Sequence, residues 1–486
     1  MPPSDRQREQ GFDAFRRGDF SAARRLLSPA AMAGHPDAAL YAAESAFRLG
    51  EGPAARFFID RLLAGAQPED SHMAGAAVVL IKMGDTQTAE RLLLRAAADH
   101  PGWLSVRLEL VALYLMTARA HLAGPVVEQM RAAGADADLL ERLTADVLRA
   151  EGDVEGARAL YERCLERTPG DAAAAELAAY LTNLSAVATA REGFMAHARF
   201  GRVLERSVAR LPERRAEGPE RRLRVAFVCD NFAAHSVAHF LTAPLRHLER
   251  DGFEVWGVST NAIEDAVTAR LSAMCDRFVR LPGVSAHDLA ARLRADRVDA
   301  AIDLNGLTAG NRLAAFAARP TPLSVTWLAY PSTTGLSSID LRIVDSVTDP
   351  PGTGADEGEG ALTTERPARL DPCFVCFTPL YDPDAERIAA APPKRPVRDH
   401  VVFGCFNNAA KITDDALAVW ARVLGAVPGS RLLIKGRGLA SQRARDALGA
   451  RAAAAGIDPA RLDVLPEAAT VSEHLLAYRL IDVQFD

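Results

Sequence analysis

From Leu223 onward the apolar positions gather into short runs rich in β-branched residues: LRVAFVC, FEVWGVS, VDAAIDL, LSVTWLAY and LRIVD. Between them lie amphipathic stretches at 237–250, 265–275 and 286–295 with the spacing of helices. Such alternation predicts a parallel sheet covered on both faces. A polar, proline-bearing stretch, 382–399, interrupts it, and the pattern then starts again: VVFGCF, a helix from Asp414, RLLIKG, a helix to Ala455, RLDVLP, a helix at Ser472, and DVQF. Two doubly wound lobes are therefore expected, 221–381 and 400–486, the second with fewer strands. In open parallel sheets ligands sit just beyond the carboxyl ends of the strands. That directs attention to the loops DNFAAHSVAH, NGLTAGNR, YPSTTG, NNAAK, KGRGLAS and PEAATVSEH, in which His235, His239 and Lys411 stand out as titratable groups. The GRG at 436–438 is too short to serve as a phosphate loop.

Upstream of Leu223 the pattern repeats. Gly50, Gly84 and Gly152 fall on one 34-residue grid with Ala118 in the remaining slot, and Gly18 precedes it by 32. Five residues after each comes a small residue, Ala23, Ala55, Ala89, Ala123 or Ala157, and prolines follow at 36, 68, 101 and 169. The glycine suits a left-handed residue closing the first helix of a pair. Asp19, Asp85 and Asp153 suit the N-cap of the second. The alanine allows two helices to approach closely, and the proline stops the second helix. This resembles the tetratricopeptide repeat, in about five copies over 5–172, and implies a superhelix whose concave face holds a protein partner. No asparagine precedes Asn183, so a row of asparagines gripping a peptide backbone is excluded there. Residues 173–220 read as two helices and a charged linker, PERRAEGPERR.

Composition narrows the classes. The 486 residues are 49% hydrophobic and 25% charged with a net charge of −6, which gives no electrostatic footprint for nucleic acid or an anionic membrane. The longest apolar runs, such as AGAAVVLI, are far shorter than the ~20 residues of a membrane span. The start, MPPSDRQREQ, lacks the apolar core of a secretory signal. Six cysteines in so long a chain make no disulfide framework, and a cytoplasmic location is expected. Cys373 and Cys376, in DPCFVCFTP, read as buried strand residues. Positive charge is almost all arginine. The four lysines are Lys82, Lys394, Lys411 and Lys435, two of them in the second lobe.

Three segments carry a specific likeness: LRVAFVCDNFAAHSVAHF, DLNGLTAGNRLAAFAARPTPLSVTWLAYPSTTGLSSIDLRIVD and FGCFNNAAKITDDALAVWARVLGAVPGSRLLIKG. They resemble the catalytic region of the O-linked N-acetylglucosamine transferase/SPINDLY family, in its bacterial form, and repeats ahead of two Rossmann-like lobes are that family's order. The resemblance implies a GT-B-type fold. It also implies inverting transfer of a sugar from a nucleoside-diphosphate sugar, by default UDP-GlcNAc, to serine or threonine of a protein, flagellin being one bacterial acceptor. No metal or other cofactor is implied. Lys411 matches the lysine that contacts the diphosphate, and His235 the active-site histidine that serves as base or acceptor positioner. Asn407, Asn408 and His474 match donor-side positions, His474 near the nucleotide base. His239, Thr308, Gly310, Thr333, Thr334 and Gly335 match loops lining the sugar and acceptor cleft.

The sequence also departs from the family. Asn231 stands at a usual aspartate, with Asp230 one residue earlier, and Leu307 at a usual histidine or tyrosine. Thr363 stands at a usual tyrosine, and Pro367 falls within a normally unbroken segment. DVQFD, ending at Asp486, lies where the family continues into a threonine-bearing donor loop, so a truncated, inactive chain is an expectation of the sequence. A non-catalytic scaffold, its repeats holding partners beside vestigial lobes, is the alternative reading.

Overall fold

A left-handed residue closes the first helix of each pair in the N-terminal region, and the geometry follows the grid. The computed structural model describes residues 5–65, 69–214, 221–351, 361–379, 387–388, 390–391, 398–436, 438–440, 442–468 and 470–485. Pro68, Arg437, residues 215–220 of the charged linker, most of 382–399 and Asp486 lie outside them. The chain divides into two units, Met1–Leu160 with Arg437–Ala450, and Tyr161–Gly436 with Arg451–Asp486.

The first unit is built of α1 (Asp5–Arg16), α2 (Phe20–Met32), α3 (Pro36–Arg48), α4 (Gly52–Ala64), α5 (Asp70–Lys82), α6 (Thr86–Asp99), α7 (Leu104–Met116), α8 (Ala120–Ala132) and α9 (Ala137–Glu151). Gly18, Gly50, Gly84 and Gly152 all have φ between +76° and +91°. Asp19 accepts from Ala22 N at 3.0 Å, Asp85 from Thr88 N at 3.1 Å and Asp153 from Gly156 N at 2.9 Å, each capping the next helix. The grid alanines 23, 55, 89, 123 and 157 are all wholly buried. Leu27, Ile59, Leu80, Leu93, Leu113 and Met130 fill the core around them. One expectation needs correcting: Pro36 does not stop a helix but starts α3, where its missing N–H costs nothing.

Ala118 occupies the glycine slot of the fourth pair and takes the same left-handed conformation, φ +55°. An L side chain there costs roughly 1–2 kcal/mol. Ala118→Gly is therefore expected to stabilise the repeats by about 0.5–1 kcal/mol once the greater chain entropy of glycine is set against it. Urea unfolding of the variant beside the parent checks this; a loss of stability would mean that the turn bears no strain.

α10 (Val154–Arg167) runs across the division between the units, and the second unit continues with α11 (Ala172–Thr182) and α12 (Ala190–Ser207), the two helices expected before the charged linker. The first sheet contains β1 (Leu223–Cys229), β2 (Phe253–Ser259), β3 (Arg277–Arg280), β4 (Ala300–Asp303), β5 (Leu323–Thr326), β6 (Leu341–Val344) and β7 (Arg366–Arg369). All pairings are parallel, in the order β3-β2-β1-β4-β5-β6-β7. Helices α13 (Ser236–His247), α14 (Ala266–Ser272), α15 (Ala286–Ala295) and α16 (Leu313–Ala317) connect the strands up to β5. Strand order reverses between β1 and β4, and a crevice at that switch point is the expected place for a ligand. The apolar pattern missed β3 and β7, the two edges. RFVR and RPAR have no continuous apolar run, and Pro367 is tolerated because β7 is an edge.

The second sheet has order β10-β9-β8-β11, again parallel: β8 (Val402–Cys405), β9 (Arg431–Gly436), β10 (Leu462–Pro466) and β11 (Val483–Gln484). Between its strands the chain forms α17 (Asp414–Ala426), α18 (Gln442–Ala454), which is grouped up to Ala450 with the first unit, and α19 (Val471–Ala477). Phe485 stacks on Phe403 and Trp420, with ring centroids 4.8 and 5.4 Å away. Val483, expected to be buried, is 45% exposed. Cys373 and Cys376 are also exposed, in the irregular segment after β7, and not buried in a strand. There the backbone of Phe374 is held from both sides, its N–H by Asp345 at 3.1 Å and its carbonyl by the Trp327 indole at 3.0 Å.

Candidate active site

The carboxyl ends of β1 and β4 are organised around Asp230, the first residue after β1. Asn305, two residues beyond β4, donates its amide to Asp230 Oδ1 at 2.7 Å, and Asn231 donates to the same oxygen at 2.5 Å. Gly310 faces Asp230 so closely that a Cβ on it would lie 1.5 Å from Oδ2, and its φ is +79°. Only glycine lets this loop close over the carboxylate. Thr308 tightens the loop by donating to Asn305 O at 2.8 Å. Beneath it Asp303, 1% exposed, accepts from the N–H groups of Gly306 (2.8 Å) and Asn305 (3.1 Å) and from the Thr326 hydroxyl (2.9 Å). Burial pushes its pKa up to about 6, against the pull of those donors.

That shift has a sign. Folded Asp303 keeps its proton up to about pH 6, whereas the unfolded chain loses it near 3.8. Between those values the unfolded state binds fewer protons, so stability falls as pH rises, by on the order of 3 kcal/mol from this group. Asp303→Asn is expected to flatten this part of the stability profile. Urea midpoints at pH 4.5 and 7 for both proteins test it, and an equal pH slope in the two would refute it.

His235 is the N-cap of α13; its Nδ1 accepts from Val237 N at 3.3 Å, so the neutral ring carries its proton on Nε2. Its side chain is exposed. His239, one turn on, lies flat on Phe377 (5.2 Å, 12°) and its Nδ1 is 3.0 Å from Thr378 O, which ties it to the segment after β7. Thr333 and Thr334 are buried and spend their hydroxyls on Glu365, itself 2% exposed, with Thr333 Oγ1 at 2.6 Å and Thr334 N at 2.7 Å. Gly335 is pressed on α12: a Cβ there would lie 1.9 Å from His197 O, and one on Gly201 would lie 1.8 Å from Gly335 O. The PSTTG loop thus serves as a docking point for α12. Tyr330 adds to this seam, accepting from Asn183 at 2.6 Å and donating to His197 Nε2 at 2.7 Å.

At the second sheet, Asn407 and Asn408 follow β8, and Lys411 closes a single turn of 3-10 helix with an exposed side chain. Gly436 ends β9 against this loop: a Cβ on it would lie 2.2 Å from Asn407 O. The preceding Lys435, 4% exposed, sets its ammonium 4.8 Å from the Phe406 ring centre and 2.9 Å from His474 Nδ1. Lys435 and His474 therefore meet at the carboxyl end of β9, with the backbone of Asn407 against the neighbouring Gly436.

Residues 187–359 match the family model described as Glycosyl transferase family 41. Over 275 residues the chain is 36% identical to a probable UDP-N-acetylglucosamine–peptide N-acetylglucosaminyltransferase SPINDLY of Arabidopsis thaliana, covering 55% of this chain and 29% of that protein. The rice (Oryza sativa subsp. japonica) protein of the same description is 33% identical over 342 residues, 67% of this chain and 35% of its own. A solved O-GlcNAc transferase of Thermobaculum terrenum, a lysine-to-methionine mutant, superposes with a TM-score of 0.74 at 27% identity, covering 87% of this chain and 79% of that one. The chain is thus similar to O-GlcNAc transferase and SPINDLY proteins. It spans only about a third of the length of the two plant relatives.

Within the segment matched to glycosyl transferase family 41 lie Asp230, His235, His239, Asp303, Thr308, Gly310, Thr333, Thr334 and Gly335; Lys411 and His474 lie beyond it. The structure gathers Thr308 and Gly310 around Asp230, and Asn407 and His474 around β8 and β9. From the sequence Asp230 reads only as a displaced family aspartate, Lys435 only as one of two lysines in the second lobe, and Asp303, Asn305 and Glu365 do not stand out. The available signal was an Asp or Asn at the carboxyl end of neighbouring parallel strands, which is where a crevice forms.

Proposed function

We propose that this chain is an inverting protein O-glycosyltransferase, moving a sugar from a nucleoside-diphosphate sugar to serine or threonine of a protein. The donor proposed is UDP-GlcNAc, used without a bound metal or other cofactor. The observation that carries the reading is the likeness, over 87% of the chain, to an O-GlcNAc transferase. The acceptor oxygen attacks the anomeric carbon, the bond to the diphosphate breaks, and the configuration inverts. Two charges then need answering. Lys411, in the turn after β8, is assigned to the negative charge growing on the departing diphosphate. Asp230 and His235, on the loop after β1, are the groups assigned to orient the acceptor hydroxyl and receive its proton. Asn407, Asn408 and His474 hold the donor. The repeats recruit the acceptor protein, for which flagellin is one candidate in a cytoplasmic setting. No described helix is long and apolar enough to cross a membrane.

The test is incorporation of label from UDP-GlcNAc, UDP-glucose and GDP-fucose into protein by the full chain, with nucleoside-diphosphate binding followed by calorimetry. Label from UDP-GlcNAc supports the reading as stated; label from another donor corrects the sugar. Neither binding nor label would leave the repeat scaffold as the better account.

A further inference from the structure

The loop that follows β1 is held by a short stretch of chain after β2. Three side chains there reach alternate residues of its backbone. The Asn261 amide donates to Asp230 O, the Thr268 hydroxyl donates to Phe232 O at 2.6 Å, and Asp265 accepts from Ala234 N at 2.7 Å. They meet because β1 and β2 are parallel neighbours, so that residues 31 to 36 apart in the chain lie side by side. Thr268, 4% exposed, has one proton to give, and the 2.6 Å contact to Phe232 O takes it in preference to Asp265 Oδ1 at 3.1 Å. Its oxygen accepts from Asp265 N at 3.2 Å, while Asp265 Oδ1 accepts from Thr268 N at 2.8 Å, a reciprocal cap that starts α14. Asp265 thus spends one carboxylate oxygen on its own helix and the other on the loop. Burial opposes its charge, but the N–H groups of Thr268 and Ala234 hold the carboxyl below its ordinary range, so it faces the loop as an acceptor. Phe232 completes the anchor, wholly buried with its ring edge-on to Phe278 at 5.3 Å. Asp230 and His235, the two groups assigned to the acceptor proton, flank this held stretch.

We propose that Asp265 and Thr268 are positioning residues for sugar transfer, which fix the pose of His235 relative to Asp230 before any substrate arrives and act through the loop, not on the substrate. The inference rests on the functional reading above and deepens it. Its physical content is orientation. A proton acceptor misplaced by about 1 Å can cost on the order of 100-fold in rate, because the reacting groups must then be brought into line within each encounter. The donor diphosphate is assigned to the second lobe, so loosening this loop is expected to slow transfer while leaving donor affinity alone. Packing alone would not produce that split, since a general loosening of the lobe reaches binding and turnover together.

The experiment uses the full chain with Thr268→Val, Thr268→Ser and Asp265→Asn. Valine matches the shape of threonine but gives no proton to Phe232 O, and serine restores the hydroxyl. Asparagine keeps an oxygen for the cap of α14, and its amide then sets donor against donor at Ala234 N. Asp265 is half-buried, so that variant is expected to fold; melting curves check all three. Transfer from labelled UDP-GlcNAc to a pool of synthetic serine and threonine peptides gives kcat and the donor KM, and amide hydrogen exchange reads the loop directly. Thr268→Val and Asp265→Asn are expected to lose about 10- to 100-fold in kcat with the donor KM within about twofold of the parent. Their amides at 232–235 are expected to exchange about tenfold faster while those of β1 and β2 stay as they were. Thr268→Ser is expected to keep kcat within about threefold of the parent. A parallel rise in donor KM, or faster exchange throughout β1 and β2, would mean general loosening and overturn the inference. So would a serine variant as poor as the valine one, or parental turnover in Thr268→Val and Asp265→Asn. If the parent itself transfers no sugar, the functional reading has failed and takes the inference with it, whatever the exchange shows.

Discussion

Lys411→Ala in the full chain is expected to lower sugar transfer by about 100- to 1,000-fold, the effect of removing one preorganised charge from a developing anion. Donor binding should weaken less, because the charge on the leaving oxygen grows only as the bond breaks. Folding should be untouched, since the side chain is exposed on a single turn of 3-10 helix. Lys411→Arg is expected to recover only part of the rate, because a planar fork does not replace a compact point charge. Turnover and donor affinity measured together, with a melting curve for each variant, make the check. Equal losses in affinity and rate would show that Lys411 merely binds donor, and no loss at all would favour the scaffold reading.

Gly201→Ala should be among the most damaging single-methyl additions in the second unit. In an ordinary helix interior this change stabilises by about 1 kcal/mol. Here the new methyl would lie 1.8 Å from the carbonyl oxygen of Gly335, which is backbone and cannot swing aside as a side-chain end could. Separating α12 from the PSTTG loop also strains the Tyr330 hydrogen bonds and the Thr334–Glu365 contacts behind them. Overpacking of this kind costs roughly 1–3 kcal/mol, and more where backbone must move. A net loss of about 3 kcal/mol is expected in urea unfolding of the second unit. The sign alone decides: a gain in stability would mean that α12 does not meet the loop closely.

The repeats were legible because their spacing was written in residues with one physical job each. A left-handed slot, a capping carboxylate and a small contact side chain recur together, and even Ala118 keeps the conformation of the glycine it replaces. Central strands were legible from their apolar runs. The edges were not: Arg277–Arg280 and Arg366–Arg369 are half-polar because one side of each meets solvent. For the candidate site, the resemblance supplied positions such as Lys411, His235 and His474, whose roles stand as proposals. Pairs brought together across the sheet were hidden. Asp230 and Asn305 are 75 residues apart and meet because β1 and β4 are neighbours. Lys435 reads as the end of an apolar strand until the structure sets His474 beside it. Thr333 and Thr334 show the converse: hydroxyls suited to a sugar are spent on Glu365, a buried acid that only the fold reveals.

The stack of Trp420 on Phe485 has a practical side. The chain has four tryptophans, Trp103 among the repeats, Trp256 and Trp327 in the first sheet's lobe, and Trp420 in the second. Each region thus carries its own intrinsic fluorophore in a distinct setting. Trp103 stacks on His100, Trp256 lies under the Arg277 guanidinium at 4.3 Å, and Trp420 stacks on a phenylalanine beside the last strand. Variants keeping one indole at a time would let the emission of a single protein reveal which region loosens first, and whether a nucleotide tightens the second lobe alone.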